Sequence, residues 1–133
     1  MERRDYLEKE IEKMQAVLQK IFRLRVDKEE EAQEIITTEL KRYFDISREY
    51  LFQMDETEFR QFIQSKNVSL IDFLGSLLYA SVDLQTPLSK LDKETLHKTL
   101  IAWDTWELKT RTLDLERLEE KRAIMSALTE SIL

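Results

Sequence analysis

The stretch SLIDFLGSLLYAS, residues 69–81, decides the fold expected for this chain. Its apolar side chains surround much of a helix circumference, which predicts a buried central helix. These side chains, with the residue that follows the stretch, are Leu70, Ile71, Phe73, Leu74, Leu77, Leu78 and Val82. Ser69 is the expected N-cap. Gly75 lacks a side chain, and we expect it to let a neighbouring helix approach closely.

The composition favours helices everywhere else. The 133 residues include one glycine and one proline. Sheets need glycine and proline in their turns and phosphate-binding loops need several glycines, whereas helices joined by short polar turns need neither. The sequence therefore predicts an all-α protein of five to six helices packed as antiparallel hairpins in a helical bundle.

Apolar periodicity and capping residues place the remaining helices. The predicted ranges are about 5–25, 27–45, 55–66, 92–109 and 114–132, with 46–53 as a short helix or a kinked continuation. Asp5 with Glu8 and Asp55 with Glu58 resemble capping boxes, and Asp92 and Asp114 are single expected caps. Asn67 is expected to end its helix in a left-handed conformation.

The segment 84–91 contains the lone proline, Pro87, and is the clearest linker. It is too short to separate two domains. We therefore expect one domain over 1–133, with possible subassemblies 1–84 and 91–133.

The sequence also indicates a cytoplasmic protein. It has no cysteine, which excludes disulfides and thiolate metal sites and suits a reducing compartment. No apolar signal core follows the first charged residues. The most apolar stretch, 68–84, is interrupted by Asp72, Ser76 and Asp83, so we expect a buried helix there and no membrane partner.

The first predicted helix carries a narrow apolar seam with alternating spacings of four and three residues. The seam consists of Leu7, Ile11, Met14, Leu18 and Ile21. A seam of this kind suits packing within a bundle or pairing with a second copy. Both alternatives remain open from the sequence, and the seam is a candidate interface. Trp106 is a further candidate, because we expect it to be part-exposed, whereas Trp103 aligns with Leu96 and Leu100 and is expected in the core.

The sequence contains few of the residues from which catalytic motifs are built. The pair Glu94 and His97 has the spacing of carboxylate-bridged metal bundles, but a second such pair cannot exist because His97 is the single histidine. Nucleophilic triads and phosphate cradles likewise lack their residues. We therefore expect no enzyme, no metal and no cofactor, with a carboxylate-dependent or metal-dependent enzyme as the alternative.

The charge distribution disfavours a nucleic-acid partner. The net charge is −6, and basic residues in the last predicted hairpin alternate with acidic ones. Affinity for nucleic acid needs clustered lysine and arginine. A nucleic-acid-associated regulator acting through the first helix, whose residues 1–25 carry a net charge of +2, remains a second alternative.

Two segments resemble a known group of proteins. Asp5-Tyr6-Leu7, followed by 11–14 and Leu18, is similar to the start of an uncharacterised bacterial all-helical family, and 106–117 is similar to a hairpin near the end of that family. The resemblance implies a small cytoplasmic helical fold with tetratricopeptide-like hairpins and no assigned function. The chain itself has no 34-residue repeat of the tetratricopeptide kind.

The leading functional hypothesis is a non-catalytic structural or protein–protein interaction module that self-associates or binds an unknown protein. It combines the seam of the first helix with the missing parts of a catalytic site.

Overall fold

The computed structural model describes the backbone of residues 2–130 and the side chains of residues 6–130. Across these residues the chain forms seven helices and no strand. The helices are α1 (Glu2–Asp27), α2 (Glu29–Phe44), α3 (Arg48–Gln53), α4 (Glu56–Gln64), α5 (Val68–Ala80), α6 (Lys90–Thr110) and α7 (Leu115–Glu130). The all-α prediction is confirmed. The described helices exceed the predicted five to six because α3 is a separate short helix, while the tetratricopeptide-like arrangement stays a prediction.

The chain divides into two compact units, Met1–Ser47 and Arg48–Leu133. The boundary between these units lies between Ser47 and Arg48. The expected subassemblies 1–84 and 91–133 stay a prediction. The segment around Pro87 lies inside the second unit, where it joins α5 to α6.

The first unit is a hairpin of α1 and α2. A single residue, Lys28, separates the two helices. Three glutamates follow it at Glu29–Glu31, where the helix dipole favours negative charge. The Tyr43 hydroxyl, near the end of α2, donates to Glu10 Oε2 over 3.4 Å. This long-range contact shows that the two helices run antiparallel.

The caps of the second unit are partly those predicted. The Asp55–Glu58 capping box is present, with the Glu58 amide 2.8 Å from Asp55 Oδ1. Asp114 also caps as expected, since it accepts from the Arg117 amide at 3.2 Å.

Ile132 and the side chain of Asp5 lie outside the described residues. The helical backbone already begins at Glu2, three residues before Asp5.

Two predicted caps were wrong by a few residues. Asn67 does not end α4 in a left-handed conformation, because its φ is −59° and its side chain accepts from the Ser69 amide at 2.8 Å. It is the N-cap of α5, and Ser69 lies inside that helix. Similarly, Ser89 caps α6, and Asp92 is the N3 partner of its capping box. In both cases the cap is the earlier of two suitable polar residues.

The core of the second unit centres on the contact between α5 and α6. Trp103 is fully buried, as predicted, and lies in a cluster with Val82, Leu96, Ile124 and Leu128. A Cβ added at Gly75 would lie 2.6 Å from the Cδ1 and Nε1 atoms of Trp103. The expected close approach at Gly75 is therefore confirmed, and its partner is the indole ring of Trp103.

Helix α7 packs along α6 in the opposite direction. The Lys121 ammonium contacts Asp104 at 2.5 Å and Glu107 at 3.1 Å. Leu96 lies earlier in α6 and shares its cluster with Ile124, which lies later in α7. This order agrees with the antiparallel hairpin expected from the short connection. Leu108, near the end of α6, is 80% exposed.

No helix in the part of the chain that the structure describes has both the length and the apolar character needed to cross a bilayer.

A buried carboxylate is an exception to the apolar interior of the first unit. Glu39 on α2 is 4% exposed. Its Oε1 lies 3.3 Å from Arg42 Nη1, and its Oε2 has no hydrogen-bond partner among the described residues. Burial raises the pKa of Glu39, and the nearby Arg42 opposes this only in part. The ionised form therefore weakens the folded state.

We predict that Gly75→Ala destabilises the protein. The added methyl group meets a buried indole that cannot move freely, at a cost of about 1–3 kcal/mol that exceeds the gain of roughly 1 kcal/mol in helix propensity. Urea denaturation measures the free energy of unfolding. Ser76→Ala is the matched control on the same helix, because it adds no atom. A Gly75→Ala protein as stable as the wild type would contradict the close packing.

We also predict a pH-dependent effect of Glu39→Gln. The folded-state pKa of Glu39 lies above its ordinary value of 4.5. The cost of ionising it is therefore present at neutral pH and vanishes below the ordinary value. Glu39→Gln should raise the free energy of unfolding at pH 7, and this advantage should shrink at pH 4. Glu34→Gln, at an exposed position of α2, should show neither effect. An equal gain at both pH values would rule out the burial explanation.

Candidate functional site

The candidate interface on α1 does not have one environment along its length. Met14 and Ile21 are buried, at 7% and 0% exposure, and Leu18 is half-buried. Leu7 and Ile11 are 45% and 37% exposed. The later part of the seam is therefore core, and only the earlier part is available to a partner.

The lengths of the two helices explain the exposure of Leu7, the first residue of the seam. A rise of 1.5 Å per residue makes α1, with 26 residues, about 39 Å long and α2, with 16 residues, about 24 Å long. Because Tyr43 near the end of α2 contacts Glu10, the residues of α1 before Glu10 extend past the end of α2. We call Leu7, Ile11 and the neighbouring Tyr6, which is 63% exposed, the exposed α1 stripe.

Trp106, the other candidate contact residue, is half-buried against its own chain. The Arg117 guanidinium lies 5.6 Å from its ring centroid and 4.2 Å from that of Trp103. Arg117 Nη1 is also 2.7 Å from Asp72 Oδ1 on α5. The indole of Trp106 is thus part of a contact that ties α7 to α5 and α6, which reduces the surface it offers to a partner.

The second unit contains a cleft that the sequence did not reveal. Its volume is about 690 Å³, and it lies between the α3–α4 connection and one face of α6. Its lining residues are Phe52, Gln53, Met54, Asp55, Glu56, Arg60, Glu94, His97, Lys98, Leu100, Ile101 and Asp104. A volume of this size is ordinary for a small-molecule site.

Several charged residues of the cleft already have partners. Arg60 Nη2 lies 2.7 Å from Glu56 Oε1, and Asp104 is paired with Lys121. Asp55 accepts the Glu58 amide in its capping box. These groups are engaged in holding α4 and α7, so the uncommitted charges of the cleft belong to α6.

Lys98 is the most unusual of these charges. It is 6% exposed, and it makes no hydrogen bond or ion pair with any described residue. Burial lowers the pKa of Lys98, although the negative charges of Glu94 and Asp55 act in the opposite direction. An ammonium group without a close partner is costly to bury.

Glu94 and His97 precede Lys98 on α6 and line the same cleft. The spacing of this pair made it a candidate for metal ligands. Within the described residues, no group of three or more metal-binding side chains comes together. Both residues are exposed. The pair therefore adds an acid and an imidazole to the lining of the cleft that contains Lys98.

Sequence reasoning overlooked Lys98 because lysine is ordinarily a surface residue. One signal was available: Lys98 is three residues before Ile101 and four before Ala102, both of which are buried. Residues at these spacings share a helix face. A lysine on the same helix face as buried residues is unusual, and it can be recognised once the length and orientation of α6 are known.

We predict that Lys98→Met stabilises the protein by on the order of 1 kcal/mol at pH 7, because it replaces a desolvated charge with an apolar side chain of similar length. The folded-state pKa of Lys98 lies below its ordinary value of 10.5. The unfolded chain therefore binds more protons between those two values, and wild-type stability rises with pH in that window. The advantage of methionine should shrink as the pH approaches 10.5.

Thermal or urea denaturation of both proteins at pH 7 and pH 10 tests this prediction. Lys93→Met, on the same helix and outside the cleft lining, is the matched control. A Lys98→Met protein less stable than the wild type at pH 7 would show that the ammonium stabilises the fold.

Comparisons with known proteins do not assign the stripe or the cleft. No protein-family model, no curated protein and no solved structure matches the chain. The resemblance of residues 5–18 and 106–117 to a bacterial helical family therefore stays a prediction.

Proposed function

We propose that this chain is a non-catalytic protein-interaction module that self-associates through the exposed α1 stripe. The exposure of Leu7 and Ile11, on a helix whose later seam residues are buried, is the observation that supports the proposal. Apolar side chains at helical spacing gain free energy when a second helix covers them. The part of α1 that extends past α2 offers such a surface without any rearrangement of the hairpin.

A second copy of the same helix suits the charges beside the stripe. Glu8 and Glu12 alternate with Lys9 and Lys13 along this part of α1. In a two-fold symmetric contact the same patch appears on both sides. The lysines of each copy can then face the glutamates of the other. The residues beside the stripe are therefore neither mainly positive nor mainly negative.

The nucleic-acid alternative has less support. Lys13 is paired with Glu10 at 3.3 Å, and Arg25 lies 3.6 Å from Glu29. Basic side chains that already face carboxylates release fewer counterions from a phosphate backbone. The cytoplasm remains the expected location, on the absence of cysteine alone.

We predict that the double variant Leu7→Glu, Ile11→Glu is monomeric where the wild type is dimeric. Burying a leucine or isoleucine is worth roughly 1.5–3 kcal/mol, and two glutamates in each copy replace this gain with like-charge repulsion. The dissociation constant should rise by at least about tenfold for each 1.4 kcal/mol lost. Light scattering on a size-exclusion column, from low to high micromolar protein, measures the change.

Val26→Glu is the matched control, because Val26 is 82% exposed near the other end of α1. It should leave the dimer intact. Circular dichroism and a urea melt should show the same fold in all three proteins. A wild-type chain that is strictly monomeric at high micromolar concentration would refute the proposal, as would a double variant that remains dimeric.

A further inference from the structure

We propose that the cleft of the second unit binds a small aldehyde or ketone and that Lys98 Nζ forms a reversible imine with its carbonyl carbon. This proposal is independent of self-association, because the cleft residues 52–104 all belong to the second unit. It names a covalent binding site in a chain whose sequence contains no recognisable catalytic motif.

The position of Lys98 is the first argument. It lines the cleft although it is 94% buried, being 6% exposed, and no described residue neutralises its ammonium by hydrogen bond or ion pair. A methionine at this position would satisfy packing without the cost of a desolvated charge. A buried, accessible amine is the arrangement that activates lysine as a nucleophile toward carbonyl compounds.

The other lysine with an altered environment shows the contrast. Two carboxylates, Asp104 and Glu107, hold the Lys121 ammonium, and their hydrogen bonds raise the pKa of Lys121 against the opposing effect of burial. Burial lowers the pKa of Lys98. Lys98 therefore holds a larger neutral fraction near neutral pH, and the neutral amine is the reactive form.

The charged groups that face Lys98 determine its proton transfer. Asp55 and the Glu56–Arg60 pair approach from the α3–α4 connection and α4, and Asp104 from α6 is held by Lys121. Glu94 and His97, which lie four residues and one residue before Lys98 in the chain, have no such partner among the described residues. They are the groups available to take and return protons.

The reaction balances without an oxidant or reductant. The protonated amine gives one proton to Glu94 or His97, and the nitrogen lone pair then attacks the carbonyl carbon. A C–N bond forms while the carbonyl π electrons move to oxygen. The oxygen takes a proton and the nitrogen loses a second one, which gives a neutral carbinolamine. The hydroxyl then takes a proton and leaves as water, the nitrogen lone pair forms the C=N bond of an iminium, and loss of the last proton from nitrogen gives the imine. Water reverses each step.

The lining also indicates the body of the ligand. Phe52, Met54, Leu100 and Ile101 supply the apolar part of the wall. Carboxylates outnumber cations around the opening, so a second negative charge on the ligand is disfavoured. We therefore infer an uncharged, apolar carbonyl compound.

Reductive trapping tests the proposal on the full chain. Hexanal with sodium cyanoborohydride converts an imine to a stable secondary amine, which intact-mass measurement and peptide mapping locate. At substoichiometric labelling and pH 7, Lys98 should be modified several-fold faster than the average of the other lysines, because burial lowers the pKa of Lys98 and so raises its neutral fraction. Glyoxylate, which carries a carboxylate, should not show this preference.

The variants make the outcome decisive. Lys98→Arg keeps the charge and removes the nucleophile, so the fast label should disappear, whereas Lys93→Arg on the same helix should keep it. If Lys98→Arg does not fold, Lys98→Met provides the same test. Label spread evenly over surface lysines, or a fast label that survives in Lys98→Arg, would overturn the proposal.

Discussion

The contact between Gly75 and the indole of Trp103 is the constraint on which the second unit depends. The ring occupies the space that a Cβ would fill, so α5 and α6 approach more closely than two helices with side chains at that point. Tyr79 packs against the same ring at 5.3 Å between centroids, and the guanidinium of Arg117 covers it at 4.2 Å. Because Arg117 also reaches Asp72, one aromatic side chain connects α5, α6 and α7. This contact fixes the position of α6. It therefore also positions the cleft, because other residues of α6 form one of its walls.

Two ionisable side chains, Glu39 and Lys98, are buried among largely apolar residues. Glu39 in the first unit and Lys98 in the second are each almost fully covered, and for each the cost of burial outweighs the nearby opposite charges. Their settings differ, however. Glu39 has one ion-pair partner and lines no described cleft, whereas Lys98 faces a cleft and has no close partner. Only Lys98 therefore combines a cost to stability with access for a ligand, which is the usual relation between stability and a binding site.

The first unit shows how a single seam can serve two purposes. Met14 and Ile21, seam residues that lie alongside α2, are buried, whereas Leu7, which lies beyond the contact with Tyr43, is 45% exposed. The difference arises from helix length, since α2 is ten residues shorter than α1. The sequence pattern is continuous across this point, so the periodicity contains no sign of the change. A seam with one end buried and the other exposed stabilises the hairpin and leaves an apolar surface for a partner.

By itself, the sequence determined the all-α class, the central role of 69–81, the closeness required at Gly75, the burial of Trp103 and the caps at Asp55 and Asp114. These features depend on periodicity and on contacts within a few residues, which local chemistry specifies. The choice between neighbouring caps, such as Asn67 over Ser69 and Ser89 over Asp92, was less certain because two polar residues compete within one turn. Only the tertiary structure decided which seam residues are exposed, where the chain divides and that Lys98 lies in a cleft. Each of these depends on which distant segment covers a given helix face, and a periodic pattern carries no information about its partner.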